Sequence, residues 1–365
     1  MNVIIQLARF FVAATFIFSG FVKLVDPLGS AYKFEEYFSA GVLNMEFLIP
    51  YALPFSILLI LAEIMLGVML LIGFVPKLTI RSLFVITLLF LFLTWYSAYY
   101  NKVTDCGCFG DAITLTPWET FYKNILLTVL IIFLLVKVEL IKPIFNKTTT
   151  KWITFLCLFA FLYITYHVLV HLPIIDFRAY AVGKNIPEGM STPEGAKKDV
   201  YEDTWIYNVN GENKEFTTEE KPWEIEGATF VDRKTRLIEK GYEPPIHDFT
   251  MEMDDVDMTA DLMQKEKLLL VVMYNISKSD KQGLENTKKI TTKAFQEGYD
   301  VYGFSASSAD DFEKIKNEFG FEFEPLFCDE TTLKTIIRAN PGIVVIHKGT
   351  IVGKWNANDV DRVKL

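Results

Sequence analysis

The sequence has few of the residues from which disulfide scaffolds and metal sites are usually built. It contains only four cysteines and four histidines in 365 residues, and four cysteines are too few for a disulfide scaffold. Its second half is also short of positive charge, since residues 173–365 carry 25 Lys and Arg against 36 Asp and Glu. Phosphate binding requires clustered Lys and Arg, so this composition excludes nucleic acid as a partner.

Charge of either sign is scarce in residues 1–172, which hold 11 Lys and Arg against 9 Asp and Glu. Long apolar runs take its place, and a helix needs ~20 mostly apolar residues to cross a bilayer. The runs lack the alternation of barrel strands, so we expect a helical bundle in lipid, with an uncleaved first span. The five predicted spans are residues 3–24, 48–73, 78–99, 118–138 and 152–172.

The distribution of Lys and Arg between the loops predicts the orientation of these spans. The second and fourth loops hold most of them, including Lys77, Arg81 and Lys142, whereas the first and third loops are mainly acidic. The pattern predicts a multi-pass protein of a bacterial inner membrane, with a cytoplasmic N-terminus and a periplasmic C-terminal domain. The third loop then faces a compartment in which disulfides persist.

Arg9, Glu63 and Asn124 are candidate functional residues inside the predicted spans, where polar side chains tend to face protein or water. Arg9 lies in the first span and Glu63 near the middle of the second. One interpretation is an Arg9–Glu63 ion pair or a protonatable Glu63; the other is that Arg9 reaches the inner surface and Glu63 sits neutral between helices. Asn124, in the fourth span, is expected to form hydrogen bonds between helices.

The most specific chemical signal is the Cys-Gly-Cys sequence of the third loop. Gly107 and Gly110 permit tight turns, and a bent chain can bring Cys106 and Cys108 within disulfide distance. Such a small ring would be strained, and strained disulfides are the oxidising and often catalytic ones. The thiol–disulfide hypothesis makes Cys106 and Cys108 a catalytic redox pair, and the alternative is a structural turn with inert thiols.

Two further hypotheses concern the same side of the membrane. His167 and His171 share a helix face near the end of the fifth span, and with Cys106 and Cys108 they could hold zinc or copper. Otherwise these histidines are interfacial residues at a helix C-terminus. Aromatic residues crowd the same edge and could flank a quinone, although an interfacial belt is the commoner reason for such a cluster.

Residues 1–140 resemble the DoxX/MauE superfamily, whose members are four-helix membrane proteins. The resemblance rests on Arg9, Phe18-Ser-Gly-Phe-Val-Lys-Leu-Val-Asp-Pro27, Glu63 with Gly67, Cys106-Gly-Cys-Phe-Gly110 and Asn124. DoxX-type members are linked to quinone-coupled sulfur oxidation. MauE-type members are linked to maturation of a disulfide-rich periplasmic dehydrogenase. The Cys-Gly-Cys-Phe-Gly string resembles the MauE branch, which implies disulfide handling.

After a polar connector, the chain alternates predicted strands with predicted helices. The connector contains a predicted hairpin of residues 204–209 and 214–218. Beyond it we expect a parallel sheet closed by an antiparallel hairpin. The predicted strands are 267–274, 300–305, 325–328, 342–347 and 350–355, and the helices are 280–296, 309–319 and 331–339.

Residues 242–365 resemble the thioredoxin-like fold of TlpA-like and peroxiredoxin-like proteins. Pro245-Ile-His-Asp-Phe249 resembles its opening segment, and Asn340-Pro341-Gly342 stands where that fold keeps its cis-proline. The helix start that should carry Cys-x-x-Cys is instead Asn275-Ile-Ser-Lys-Ser-Asp-Lys281. Without a reactive thiolate there, the domain is expected to bind partners rather than exchange disulfides. Cys157 and Cys328 are expected to be packing residues.

These observations predict an α-helical polytopic membrane bundle followed by an α/β thioredoxin-like soluble domain. The expected divisions are 1–140 for the four-helix domain, 141–172 for an inner loop and fifth span, 173–241 for the connector and 242–365 for the degenerate thioredoxin-like domain. The leading hypothesis is a membrane-anchored thiol–disulfide or maturation factor acting on an envelope protein client. The rivals are a non-enzymatic scaffold, whose outer domain only binds partners, and a quinone-linked oxidoreductase subunit.

Overall fold

A computed structural model describes residues 2–103 and 107–365. Its helices are α1 (Asn2–Val25), α2 (Pro27–Phe38), α3 (Ala52–Ile72), α4 (Pro76–Tyr100), α5 (Pro117–Val136), α6 (Lys147–Val170), α7 (Ile186–Met190), α8 (Thr259–Leu262), α9 (Lys281–Gln296), α10 (Ala309–Phe319) and α11 (Glu330–Ile336). Its strands are β1 (Val200–Val209), β2 (Glu212–Thr217), β3 (Thr229–Glu239), β4 (Glu252–Met253), β5 (Val256–Asp257), β6 (Leu268–Met273), β7 (Asp300–Ser305), β8 (Glu324–Phe327), β9 (Gly342–His347) and β10 (Thr350–Asn356).

The chain is a multi-pass membrane protein by the length and composition of its helices. Within the described residues, five helical segments are long and apolar enough to cross a membrane, and each overlaps one predicted span. They are Val3–Val25, Glu46–Ile72, Pro76–Tyr100, Pro117–Val136 and Lys147–Val170. The short helix α2, which the sequence analysis left within the first loop, lies between the first two.

Local chemistry defines the ends of the spanning helices. Thr116 and Glu119 form a capping box at the start of α5, where Pro117 occupies the first turn. Gly73 ends α3 with a φ of 75°, the left-handed conformation that glycine adopts most easily. At these helix ends, the capping residues provide hydrogen-bond partners for backbone groups that would otherwise lack them.

Helices α1 and α3 pack backbone against backbone because glycines face the contact. A Cβ atom added at Gly20 would lie 2.7 Å from the Cβ of Ile64. A Cβ atom added at Gly67 would lie 2.9 Å from the backbone nitrogen of Ile17. Small residues of this kind let membrane helices approach closely, and the approach brings polar groups of α1 within reach of α3.

The structure does not contain the Arg9–Glu63 ion pair, which was one of the two interpretations of these residues. The guanidinium of Arg9 donates instead to the carbonyl oxygens of Leu70 and Leu71, each at 2.8 Å, and of Lys142 at 3.1 Å. Those of Leu70 and Leu71 belong to the last turn of α3, where carbonyls lack intrahelical partners and carry partial negative charge. Arg9 is only 4% exposed, so it does not extend to the surface either.

Asn124 fulfils its expected role between helices. Its side-chain nitrogen in α5 donates to Oγ1 of Thr94 in α4 over 3.3 Å. Both side chains are buried, with 2% and 1% exposure. A buried amide that has a partner on the neighbouring helix avoids the free-energy cost of an unsatisfied polar group in lipid.

The C-terminal domain is built on a seven-stranded sheet in the order β10-β9-β6-β7-β8-β4-β5. Strands β6, β7 and β8 are parallel, whereas β9 and β10 form the predicted antiparallel hairpin next to β6. Every residue of β6 is buried, as expected for a central strand covered on both faces. The Asn340–Pro341 peptide bond is cis. Strands β4 and β5 were not predicted.

Two compact units make up the chain: residues up to Lys184 together with Thr250–Leu365, and Asn185–Phe249. The membrane bundle and the seven-stranded sheet therefore belong to one unit. The second unit contains a three-stranded antiparallel sheet in the order β2-β1-β3. Strands β1 and β2 form the predicted hairpin, in which Asn208 faces Asn213, whereas β3 lies in a stretch of the connector where no strand was predicted.

Candidate functional site

Cys108 lies where the third loop meets the membrane bundle. Its carbonyl oxygen is 2.6 Å from Oγ of Ser19 in α1. The same hydroxyl is 2.5 Å from Oε1 of Glu63 in α3. Cys108 is half-buried, and Cys106, the other member of the predicted redox pair, lies outside the described residues. The structure thus places one predicted cysteine beside one predicted intramembrane carboxylate, with Ser19 between them.

Glu63 is paired with Lys23, a residue that the sequence analysis did not select. Nζ of Lys23 donates to Oε2 at 2.8 Å and to Oε1 at 3.1 Å, and it lies 3.2 Å from Oγ of Ser19. The two charged side chains are 9% and 3% exposed, and charges buried so deeply require a partner. The sequence signal that could have indicated Lys23 was its spacing from Ser19, because the two residues are four positions apart and share a helix face.

Cys108 lines two cavities that meet at the third loop. The larger has a volume of about 630 Å³ and lies between the bundle and the C-terminal domain. Apolar residues of the bundle form one wall, namely Val22, Leu59, Ile60, Phe90 and Leu93; residues around α11 form another, namely Thr331, Lys334, Thr335 and Arg338. The smaller is a narrow cleft that Cys108 shares with Ser19, Glu63, Thr87 and Lys123. Cys108 therefore borders both the larger cavity and the narrow cleft.

Residues of α2 and α11 connect the bundle to the C-terminal domain beside the larger cavity. Nε of Arg338 lies 3.0 Å from each carboxylate oxygen of Asp26. The ammonium group of Lys334 lies 4.6 Å from the ring centre of Tyr32, within the range of a cation–π interaction. The hydroxyl of Tyr32 also lies 3.5 Å from that of Tyr274. Burial and the neighbouring Tyr274 raise the pKa of Tyr32, so this phenol remains neutral.

A second group of charges binds the segment after α6 to the sheet. Arg178 Nε donates to Asp176 Oδ1 at 2.7 Å, and Nζ of Lys354 donates to the other carboxylate oxygen. Burial alone would raise the pKa of Asp176, but Arg178 and Lys354 outweigh it and lower this pKa. Burial, followed by repulsion from Arg178, lowers the pKa of Lys354 to about 8 despite the attraction of Asp176. The cluster therefore stabilises the charged carboxylate more than the charged ammonium group.

The two histidines of the metal hypothesis lie against the C-terminal domain. Their ring centres are 4.7 Å apart, and Nδ1 of His171 is 2.8 Å from a carboxylate oxygen of Asp359. Across residues 2–103 and 107–365, no group of three or more His, Cys, Asp or Glu side chains could hold a metal ion. His171 thus serves the contact between α6 and the domain, to which Asn356 adds a hydrogen bond to its carbonyl at 3.0 Å.

Polar side chains occupy the helix start at which a Cys-x-x-Cys motif was expected. Asn340 donates to the carbonyl oxygen of Asn275 over 2.7 Å, and Ser279 donates to Asn340 over 3.2 Å. Asp280 caps α9 by accepting from the backbone N–H of Gly283 at 2.6 Å. Cys328 is buried as predicted, and burial raises its pKa to about 11, so this thiol is unreactive at neutral pH.

Residues 1–137 match the family model of the methylamine utilisation protein MauE. This match spans α1 to α5, and so contains Ser19, Lys23, Glu63 and Cys108. It confirms the MauE/DoxX-like membrane part of the predicted resemblance. Residues 201–240 match a domain of unknown function, DUF8463. No curated protein and no solved structure matches the chain. Neither family match reaches residues 250–365, so the thioredoxin-like resemblance of the sheet-rich domain stays a prediction.

Proposed function

We propose that this protein is a membrane-anchored thiol–disulfide and maturation factor in which Cys106 and Cys108 form the redox pair. The observation that carries the proposal is the position of Cys108, at the wall of a cavity of about 630 Å³ and beside the buried Lys23–Glu63 pair. The cavity volume falls within the range of about 300–1,000 Å³ that is typical of ligand sites. The MauE match supports an accessory role in the maturation of another protein.

The proposed reaction is thiol–disulfide exchange with a client protein. A client thiolate attacks the Cys106–Cys108 disulfide and forms a mixed disulfide, which the second client thiolate then resolves. Two electrons and two protons pass from the client dithiol to the loop, so the client gains a disulfide and the loop becomes a dithiol. A second protein disulfide of higher reduction potential then reoxidises the loop by the same exchange.

The C-terminal domain has the proposed role of holding the client beside the loop. Its sheet order supports a thioredoxin-like fold. Its α9 start carries Asn275 and Ser279 instead of thiols, which favours binding over exchange within the domain itself. Because Lys334 of α11 and Arg338, just after it, line the cavity wall, a client segment that enters the cavity would contact both the domain and Cys108.

The charge distribution of the loops supports an orientation in which this cavity faces the periplasm of a bacterial inner membrane. The loop between α3 and α4 and the loop between α5 and α6 carry most of the Lys and Arg, which favours their placement in the cytoplasm. The cavity lies at the opposite ends of these helices. Envelope proteins are therefore the proposed clients, and disulfides would persist on that side.

Thiol labelling in intact cells tests the proposal directly. A membrane-impermeant alkylating reagent is applied before and after mild reduction, and the peptide that contains Cys106 and Cys108 is read by mass spectrometry. We expect alkylation only after reduction. Cys157→Ser and Cys328→Ser serve as controls that should leave this result unchanged, since both thiols lie away from the loop. Full alkylation without reduction would exclude a standing disulfide and would refute the proposed redox pair.

A second candidate function is a non-enzymatic scaffold, which the contacts of Arg338 and Tyr274 in the C-terminal domain with Asp26 and Tyr32 in the bundle favour. A scaffold would keep its function with Ser at both loop cysteines, whereas a redox factor would lose its function. For the redox factor, we expect Cys106→Ser alone, Cys108→Ser alone and the double variant to lose client maturation to the same extent, because none of them can form the loop disulfide that the client thiolate attacks. Normal maturation by the double variant would establish the scaffold instead.

A further inference from the structure

Two oxygen atoms compete for the single hydroxyl proton of Ser19. Its Oγ lies 2.5 Å from Oε1 of Glu63 and 2.6 Å from the carbonyl oxygen of Cys108. A serine hydroxyl donates one hydrogen bond, and both neighbours are pure acceptors when Glu63 is ionised. Lys23, at 3.2 Å, can only donate to Ser19. Ser19 can therefore donate to the Cys108 carbonyl only when Glu63 does not accept the hydrogen bond from the Ser19 hydroxyl.

We propose that Ser19 and Glu63 are positioning residues that link the protonation of Glu63 to the position of Cys108. When the Glu63 carboxyl is protonated, it donates to Ser19, whose own proton is then directed at the Cys108 carbonyl and fixes the loop to α1. When Glu63 is ionised, Ser19 donates to the carboxylate, and Cys108 loses this hydrogen bond. The consequence for the reaction rests on the proposed function, in which Cys108 belongs to the redox pair.

The charged groups around Glu63 come from several elements. Lys23 of α1 is its direct partner. Lys123 of α5 shares the narrow cleft with Glu63 and Cys108, and its ammonium group lies 4.3 Å from the ring centre of Phe109. In the described part of the chain, α4 adds only uncharged residues to the two cavities. The other charged residues that line the larger cavity are Asp26, Lys33, Glu35, Glu36, Asp111, Asp176, Arg178, Lys334 and Arg338.

The protonation change has a direct meaning in thiol–disulfide chemistry. Reduction of the loop adds two electrons and two protons, and the protons end on Cys106 and Cys108. While Glu63 is protonated, the hydrogen bond from Ser19 to the Cys108 carbonyl would hold the loop in place. When Glu63 loses its proton, this hydrogen bond would be lost and the loop would be released. Ser19 contacts the backbone carbonyl of Cys108 and Glu63 acts through Ser19, so the role of both residues is positional.

The test measures the alkylation rate of Cys108 as a function of pH in full-length protein. Cys106→Ser, Cys157→Ser and Cys328→Ser leave Cys108 as the only thiol, so the readout is independent of disulfide exchange. At each pH, the rate for Ser19→Ala is divided by the rate for the Ser19 protein, which cancels the ionisation of the thiol itself. We expect a ratio of about five at low pH, the value for one hydrogen bond of ordinary net strength, and a fall toward one as Glu63 ionises.

Glu63→Gln provides the complementary variant. The glutamine amide is neutral and donates to Ser19 at every pH, so the ratio measured in this background should stay near five throughout. Lys23→Met/Glu63→Gln repeats the measurement without an unpaired buried ammonium group. Thr87→Ala is the matched control, because the Thr87 hydroxyl lines the same cleft but donates to Leu83 of its own helix at 2.7 Å.

A ratio that does not change with pH in the Glu63 protein would overturn the inference, as would the same pH dependence in the Glu63→Gln protein. If Ser19→Ala fails to fold, Ser19→Thr is used, which keeps a hydroxyl and should behave as the Ser19 protein does. The alkylation rates of the Glu63 and Glu63→Gln proteins then decide the outcome. The inference survives if cellular labelling disproves the disulfide, because Cys108 alone reports here. A failure of this inference is therefore distinguishable from a failure of the proposed redox pair.

Discussion

Arg338 and Asp26 join the C-terminal domain to the membrane bundle through a buried ion pair. Nε of Arg338 lies 3.0 Å from both carboxylate oxygens of Asp26, and Arg338 is 6% exposed. Burial alone would lower the pKa of Arg338, but the charge of Asp26 and of neighbouring groups raises it overall. A buried charged group depends on its partner, so the pair is a principal contact between the start of α2 and the segment after α11.

Removing the charge of Asp26 should release the C-terminal domain from the bundle. Asp26→Asn retains a side-chain oxygen that can cap α2, where Asp26 Oδ1 accepts from Gly29 at 3.1 Å. The buried Arg338 then lacks its counter-ion, for which we expect a loss of about 3–5 kcal/mol. Limited proteolysis at the domain boundary and thermal melting in detergent would measure it. The control is Glu266→Gln, whose exposed pair with Lys348 should contribute little. Unchanged proteolysis of Asp26→Asn would contradict this prediction.

The stability of the protein should rise when the pH increases from about 8 to about 10.5. Lys354 has a pKa of about 8 in the folded protein and an ordinary value of 10.5, so the unfolded chain binds more protons between these values. Stability that is fully present above 10.5 is therefore lost as the pH falls through 8, by up to about 3 kcal/mol. Lys354→Met should flatten the melting temperature across this range, whereas the exposed Lys281→Met should not. An equal slope in both variants would disprove the assignment.

Arg9→Met should destabilise the membrane bundle. The guanidinium holds two carbonyl oxygens at the end of α3 and that of Lys142 in the loop before α6. Hydrogen bonds to charged groups contribute about 1.5–3 kcal/mol each, so we expect a total loss of roughly 3 kcal/mol or more. Thermal melting of purified protein in detergent is the measurement. Arg81→Met, at an exposed position of α4, is the control; a melting temperature of Arg9→Met equal to that of the control would contradict this role.

Gly20→Ala should force α1 away from α3. The added Cβ would lie 2.7 Å from the Cβ and 2.9 Å from the backbone nitrogen of Ile64, and overpacking of this kind costs about 1–3 kcal/mol. The shift should also weaken the Lys23–Glu63 pair, which spans the same two helices. Melting temperature reports the first effect. Gly41→Ala is the control, because its added Cβ has only Ser39 Oγ nearby, at 3.9 Å. Wild-type stability in Gly20→Ala would show that the helices are not tightly packed here.

The secondary structure was predictable wherever it depended on nearby residues. The spans followed from apolar runs of sufficient length, and the predicted bounds of β7, α10 and β9 match the structure. Those segments combine a clear periodicity with a capping residue such as Ser308, which accepts from Asp311. Strand β3 was missed because all of its residues are exposed, so no alternation of apolar and polar residues indicates it.

The partners of the candidate site residues could not be predicted from the sequence. Cys108 and Glu63 were both selected from the sequence, because cysteines separated by one glycine and a carboxylate within an apolar span are rare. One of the two interpretations paired Glu63 with Arg9, since an arginine within the preceding span is the more conspicuous cation. The structure pairs it with Lys23, 40 residues away along the chain. Lys23 stands at the polar end of its span, where a lysine is ordinary.

The sequence by itself determined which segments lie in lipid and which form the C-terminal sheet, because burial in a bilayer and strand formation depend on composition over a few residues to about 20. Only the tertiary structure decided which charges meet. Asp26 and Arg338 are 312 residues apart, and their contact depends on the rotation of the helices and on the docking of the domain. Ionic partners are chosen by distances of a few ångströms between distant segments, and no local pattern contains those distances.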